Sequence, residues 1–448
     1  MEGNVRQGES NAPRRGKASW KTVGCFACLA LGLLLIPIIF FMGLLTTILS
    51  PLVSIDKSVS SGENILQYQF EASTHGWVED PVVWGPGRHN LLVGVRNVDL
   101  SKQRKASIWL YNVGDKGASG REILEVPDTA NEIAWSPDGG LIAIANSSYI
   151  LTVSTNDFQE IARRSTSLPG PRLGDCLRSG PLSGMAFSDD GSSLWIPCRP
   201  EKDSSPLTLA IRLDARSLET VDHYDINPPA AAKRVETHWT KIEATPQGPR
   251  LVALVGSFAE INSVAGVKDV SQGNDFAYGI DLGSKAELFP HFQLVEDDSR
   301  WHVPTSALLT PDNQVLVVPL SLVVEPASGN DRKRNVDVYQ AQIGERSSFF
   351  DSGQRWMNGA GLGFGFTSAT LVEQNYEEEK TVSGTAVRAV KDGKILQRIK
   401  SGNISSWKGS FSSAFSWDRK RMVVVQSAVV PALQFNPHSV MRFYSVSR

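Results

Sequence analysis

The stretch from Asn131 to Asn146, NEIAWSPDGGLIAIAN, limits what this chain can fold into more than any other. Ile133 and Trp135 alternate with Glu132, Ala134 and Ser136, a period of two that predicts a short strand. Pro137-Asp138-Gly139-Gly140 follows, with a φ preset by proline and two glycines that accept positive φ, so the chain reverses. Leu141 to Ala145 is apolar throughout, the pattern of a strand covered on both faces. A lone hairpin is marginal in water, so this one needs neighbours.

Related hairpins begin at Val82 (VVWGPG before LLVGV), Met185 (MAFSDDG before LWIP), Ile242 (IEATPQG before LVALV), Ala307 (ALLTPD before VLVVPL) and Ala414 (AFSWD before MVVVQ). Their turn positions, 86, 137, 189, 246, 311 and 417, are separated by 51, 52, 57, 65 and 106 residues. The last interval is twice the others and holds a weaker copy. Its strands are predicted at Gly365 to Glu373, Val382 to Val390 and Ile395 to Ile399. Seven units of several strands, repeating roughly every 40–50 residues, predict an all-β seven-bladed β-propeller.

The units resemble the WD-repeat and TolB-type β-propeller superfamily, whose blades carry the same hydrophobic–Ser–Pro–Asp–Gly hairpin. The strongest match is Trp135-Ser136-Pro137-Asp138-Gly139, and the resemblance spans Trp77 to Val446. It implies that an N-terminal strand, Ile65 to Phe70, pairs into the last blade beside Met441 to Val446, which would remove exposed sheet edges.

Ahead of the repeats lies a second constraint. Thr22 to Ile55 contains no charged residue, and Val23 to Leu49 is almost wholly apolar, longer than the ~20 residues a bilayer requires. One transmembrane α-helix over 22–49 is therefore predicted, with Pro37 as a tolerated kink, a basic tail at 1–21, a Ser- and Gly-rich linker at 50–64 and the propeller at 65–448. Arg6, Arg14, Arg15, Lys17 and Lys21 outweigh Glu2 and Glu9, which places the tail in the cytoplasm and the propeller outside it. The competing reading is a signal segment removed in maturation.

Cys25 and Cys28 sit three apart on one face of the predicted helix, as apolar residues or as acylation sites. Cys176 and Cys198 fall on one rim of the ring, as a disulfide in an oxidising compartment or as two buried thiols. Asn146-Ser147-Ser148 and Asn403-Ile404-Ser405 are glycosylation sequons.

Motifs of chemistry are sparse. The chain has no G-x-S-x-G elbow, P-loop, H-E-x-x-H or EF-hand loop, and its seven histidines are scattered. Gly359 to Gly365 reads as a loop, and the chain ends soon after the last strand, so no hydrolase domain is expected beyond the ring. A net charge of −2 argues against a general nucleic-acid binder. Function falls to the pore mouth. Six residues before the turn positions stand Asp80, Asn131, Ser183, Thr240, Thr305 and Phe411, with Glu132 and Lys241 next in line. Such a ring suits hydrogen-bonded recognition or a cluster of water. Alternatively Asp80, Asn131 and Glu132 supply oxygen ligands to Ca²⁺, as the resemblance to propeller lactonases implies. The expectation is a non-enzymatic, cofactor-free binding or scaffolding module for a protein or glycan, anchored in a membrane. The alternative is a propeller hydrolase with a pore-mouth metal.

Overall fold

The computed structural model describes residues 59–447, except for positions 75, 88, 131, 147 and 305 and the segments 98–104, 128–129, 166–175, 177–183, 199–205, 228–235, 257–274, 296–301, 323–332, 356–363, 367–369, 379–381, 401–408 and 429–438. The predicted membrane helix, with Cys25 and Cys28, lies outside the described residues. Among those described, no helix is long and apolar enough to cross a membrane.

Seven antiparallel sheets follow one another along the chain. Their first strands are Trp77–Trp84, Glu132–Trp135, Ala186–Phe187, Glu236–Thr245, the interrupted pair His302–Pro304 and Leu308–Leu309, Phe364–Phe366 and Gly409–Phe415, and they define blades 1 to 7. A single cavity touches strands or strand ends from all seven, so these first strands form the inner wall of a ring.

The packing follows from the period of two. In blade 1, Leu91, Val93 and Val95 face a cluster shared with Val423, Val425, Met441 and Phe443 of blade 7, while Leu92 between them faces the cluster shared with blade 2. In blade 2, Ile142 and Ile144 point to blade 1, and Ala143 and Ala145 to blade 3. Leu251, Ala253 and Val255 of blade 4 point to blade 3, and Val252 and Leu254 to blade 5. Strands that read as continuously apolar are thus alternating strands with a neighbour on each side. Seven such clusters lie among the described residues, one for each pair of adjacent blades, including the last with the first.

The ring is closed as the sequence predicts. Leu66–Ser73 runs antiparallel to Ser439–Val446 as the outer strand of blade 7. A further feature lies within the stretch read as linker: Val59–Gly62 pairs with Ile395–Lys400 as an extra outer strand of blade 6. The segment therefore stitches two adjacent blades. Gln397 holds the corner with no exposed surface. Its Oε1 accepts the Leu66 amide at 2.8 Å, and its Nε2 donates to the Leu66 carbonyl and the Ser60 hydroxyl, both at 2.8 Å. Gly62 makes the bend at φ +99°, where a Cβ would stand 2.2 Å from the Leu396 carbonyl oxygen.

One predicted strand is corrected. Gly365 to Glu373 is not continuous: Phe364–Phe366 is the inner strand of blade 6, and Thr370–Glu378 returns antiparallel to it with Gly365 opposite Val372. This turn lacks the Pro-Asp-Gly signal of the other blades, which hid the reversal. The sequon at Asn146 is also reinterpreted. The residue is only 2% exposed, and its Oδ1 accepts the amides of Ser148 and Tyr149 to shape a tight turn.

Replacing Gln397 with alanine leaves the Leu66 amide and carbonyl buried without partners. The expected cost is about 2–4 kcal/mol, read as a lower denaturant midpoint of the full-length protein. An unchanged midpoint would show that the corner does not hold the closing segment.

Candidate functional site

The recurring hairpin is a polar device at the end of four of the inner strands. In blade 2, Ser136 Oγ accepts the Leu141 amide at 2.8 Å and donates to Asp138 Oδ1 at 2.5 Å, and that oxygen accepts the Gly140 amide at 2.9 Å. Ser188 with Asp190, Thr310 with Asp312 and Ser416 with Asp418 repeat the arrangement. These hydrogen bonds favour the ionised carboxylate: Ser136 leads in holding Asp138 below the usual range, and Ser188 leads in bringing Asp190 down to about 2.

One position in these four turns takes the left-handed conformation, occupied by Gly139, Gly191, Asn313 and Arg419 at φ +73°, +69°, +60° and +57°. Arginine is the outlier, since a side chain with Cβ costs roughly 1–2 kcal/mol there. Its placement has a visible consequence. From the blade 7 turn, Arg419 reaches Glu243 on the inner strand of blade 4, three blades away around the ring, and donates to Oε1 at 2.6 Å. The other oxygen of Glu243 takes two bonds from Arg250, at 3.2 and 2.7 Å. Arg250 in turn donates to the Leu309 and Thr310 carbonyls and to Asn313 Oδ1 of blade 5, so it is wholly engaged in joining blades 4 and 5. Burial pushes the Glu243 carboxyl up, but Arg250, Arg419 and Lys241 outweigh it and hold it well below the carboxylate range.

The cavity inside the ring has a volume of about 240 Å³. Glu132, Lys241, Glu243 and Arg419 give it charge, and Trp84, Trp135, Phe366, Phe415 and Trp417 give it aromatic walls. Trp84 Nε1 donates to the Ala414 carbonyl at 3.1 Å, and Trp417 Nε1 to the Trp84 carbonyl at 3.0 Å, a reciprocal pair that locks blade 7 to blade 1.

Of the residues predicted to ring the pore, Glu132 and Lys241 line this cavity together. Thr240 does not: it is 8% exposed, and its hydroxyl donates to the Cys198 carbonyl at 3.2 Å, tying blade 4 to blade 3. Asn131, Ser183 and Thr305 lie outside the described residues, as does the side chain of Asp80 on the blade 1 inner strand. Cys176 and Cys198 form a disulfide. Among the described residues no group of three His, Cys, Asp or Glu side chains is placed to hold a metal.

Glu243, Arg250, Arg419 and Trp135 were not singled out from the sequence. A signal for the first existed: three residues before the turn positions stand Val83, Ala134, Ala186, Leu308 and Ala414, and only blade 4 places a carboxylate there.

No protein-family model and no curated protein sequence matches the chain. Many solved structures match in fold. The WD40 propeller domain of Doa1 is 10% identical with a TM-score of 0.48, covering 86% of this chain and 99% of that one. The Cps50 (Swd1) propeller domain of Myceliophteria thermophila is 11% identical with a TM-score of 0.47, covering 84% and 99%. Kuenenia stuttgartiensis hydrazine synthase is 13% identical with a TM-score of 0.47, covering 81% and 94%. By its own topology the chain is a seven-bladed β-propeller: seven antiparallel sheets of four or five strands, the last closed by the strand that precedes the first blade.

Arg250→Ala strips a buried cation from Glu243 and takes the arginine donor from the Leu309 carbonyl and Asn313 Oδ1 of blade 5, an expected loss of about 3–5 kcal/mol by denaturant titration. Glu243, Asp138 and Asp190 carry depressed pKa values. Their stabilisation is therefore full above the unfolded carboxylate range near pH 4, and it is lost as pH falls through the folded values, down to about 2 for Asp190. Acid titration of Glu243→Gln should accordingly show a shallower loss of stability below pH 4 than wild type. Identical acid limbs would contradict the charge network.

Proposed function

We propose that this protein is a single-pass membrane protein whose propeller, outside the cytoplasm, is a rigid scaffold that binds a partner protein or glycan. The observation that carries the reading is the closed ring of seven two-sided clusters, a stiff frame on which connections can vary without cost to the core. By numbering, the two longest connections run from Ser165 to Ala186 and Gly256 to Phe276, and these are the elements assigned to recognition. The uncharged run from Thr22 to Ile55 and the basic tail before it support the anchor and its orientation. The Cys176–Cys198 disulfide supports an oxidising compartment. The propeller hydrolase with a pore-mouth metal has no observation in its favour, since the charge described around the cavity includes Lys241 and Arg419, which repel a divalent cation.

Purification of the intact protein in mild detergent is expected to retain a stoichiometric partner, and replacing residues 257–274 with a short Gly-Ser linker is expected to release it without lowering the melting temperature. A protein that runs alone from every preparation would contradict the scaffold reading. Mass mapping without reduction is expected to find Cys176 linked to Cys198, and two free thiols there would contradict placement outside the cytoplasm.

A further inference from the structure

The cavity holds more hydrogen-bond donors than the protein uses. Arg250 spends all of its donors on Glu243, two carbonyls and Asn313. Arg419, by contrast, makes one side-chain hydrogen bond among the described residues, to Glu243, and lies 5.7 Å over the Phe415 ring. The Lys241 ammonium, two residues before Glu243 on the same side of its strand, makes no hydrogen bond or ion pair among them. Trp135 is only 5% exposed and lines the cavity, yet its Nε1 has no acceptor, whereas the indoles of Trp84 and Trp417 are both satisfied.

The sum of charge points the same way. Lining the cavity, Lys241 and Arg419 stand against Glu243 and Glu132, and Glu243 is already neutralised from behind by Arg250. Lys241 and Arg419 flank the same carboxylate, so a second anion placed between them would meet two cations. Around them Phe366, Phe415 and Trp417 supply flat apolar surface. At about 240 Å³ the space is below the usual range for drug-sized ligands, roughly 300–1,000 Å³, and matches one small molecule.

We propose that the central cavity binds a small aromatic monocarboxylate, its carboxylate held by Lys241 and Arg419 and its ring against the aromatic wall. The site is independent of the scaffold reading, since it lies inside the ring and uses inner strands and a turn rather than the long connections.

The test is calorimetric titration of the full-length protein in mild detergent with benzoate, phenylacetate and indole-3-acetate, with phenylacetamide and acetate as controls. At least one of the three aryl carboxylates is expected to bind, and phenylacetamide and acetate are expected to bind at least tenfold more weakly. Lys241→Gln should weaken the preferred carboxylate by about tenfold or more, the loss of one charge-assisted bond. Arg419→Gly should weaken it similarly, and because glycine occupies the same turn position in blades 2 and 3, this variant tests the cation without straining the fold. An unliganded melt of each variant reports folding separately from binding. No binding by any of the three carboxylates at millimolar concentration would overturn the proposal. So would equal binding of phenylacetate and phenylacetamide, or unchanged affinity in both variants.

Discussion

Every structural feature of this protein depends on one constraint: a four-stranded sheet with two apolar faces must be covered on both. Leu91 and Leu92, adjacent in sequence, are fully buried against opposite neighbours. No blade can satisfy both faces alone, and a row of blades would leave its two end faces bare. Closure into a ring removes those ends, and it makes the contact between blades 7 and 1 as necessary as any other. That seam is reinforced by polar as well as apolar contacts. The Trp84 indole donates across it to the Ala414 carbonyl and the Trp417 indole to the Trp84 carbonyl, and Phe70 stacks on Phe443 within the closing strand pair.

Ring closure also creates the interior. Seven inner strands meet with their edges toward one axis, and the side chains that fall there are free of the packing demand that fixes the blade faces. The chain places charge in that space unevenly. Five blades carry valine, alanine or leucine three residues before the turn, while blade 4 carries Glu243. Its carboxylate gathers Arg250 from its own blade and Arg419 from the far side. The link spans the ring, and it is made by a residue in a backbone conformation that glycine occupies in two other blades. Backbone strain retained at one position of a repeat is a mark of a side chain that matters there.

Architecture was largely legible in the sequence, and the interior was not, for the same physical reason. The hairpins announce themselves because turn and strand chemistry are local: Ser136, Pro137, Asp138 and Gly139 act on residues within five positions. The blade 6 reversal escaped notice where that local chemistry was missing, and the outer strand Val59–Gly62 was obscured by its Ser and Gly content, since an edge strand needs no apolar face. Lys241 and Glu132 were found by counting back from the turns. The pairing of Glu243 with Arg419 joins positions 176 residues apart, and nothing local in either residue reports it. Thr240 shows the limit of counting: its position is as read, but its hydroxyl is turned to Cys198 of the neighbouring blade.

Hydrogen–deuterium exchange on the intact protein tests ring closure most directly. If the ring is sealed by Leu66–Ser73, the alternate amides of that outer strand that bond to Ser439–Val446 are protected to the same degree as the central strand Arg421–Ala428 of the same blade. Fast exchange of those amides with full protection of Arg421–Ala428 would show an open ring and contradict the account.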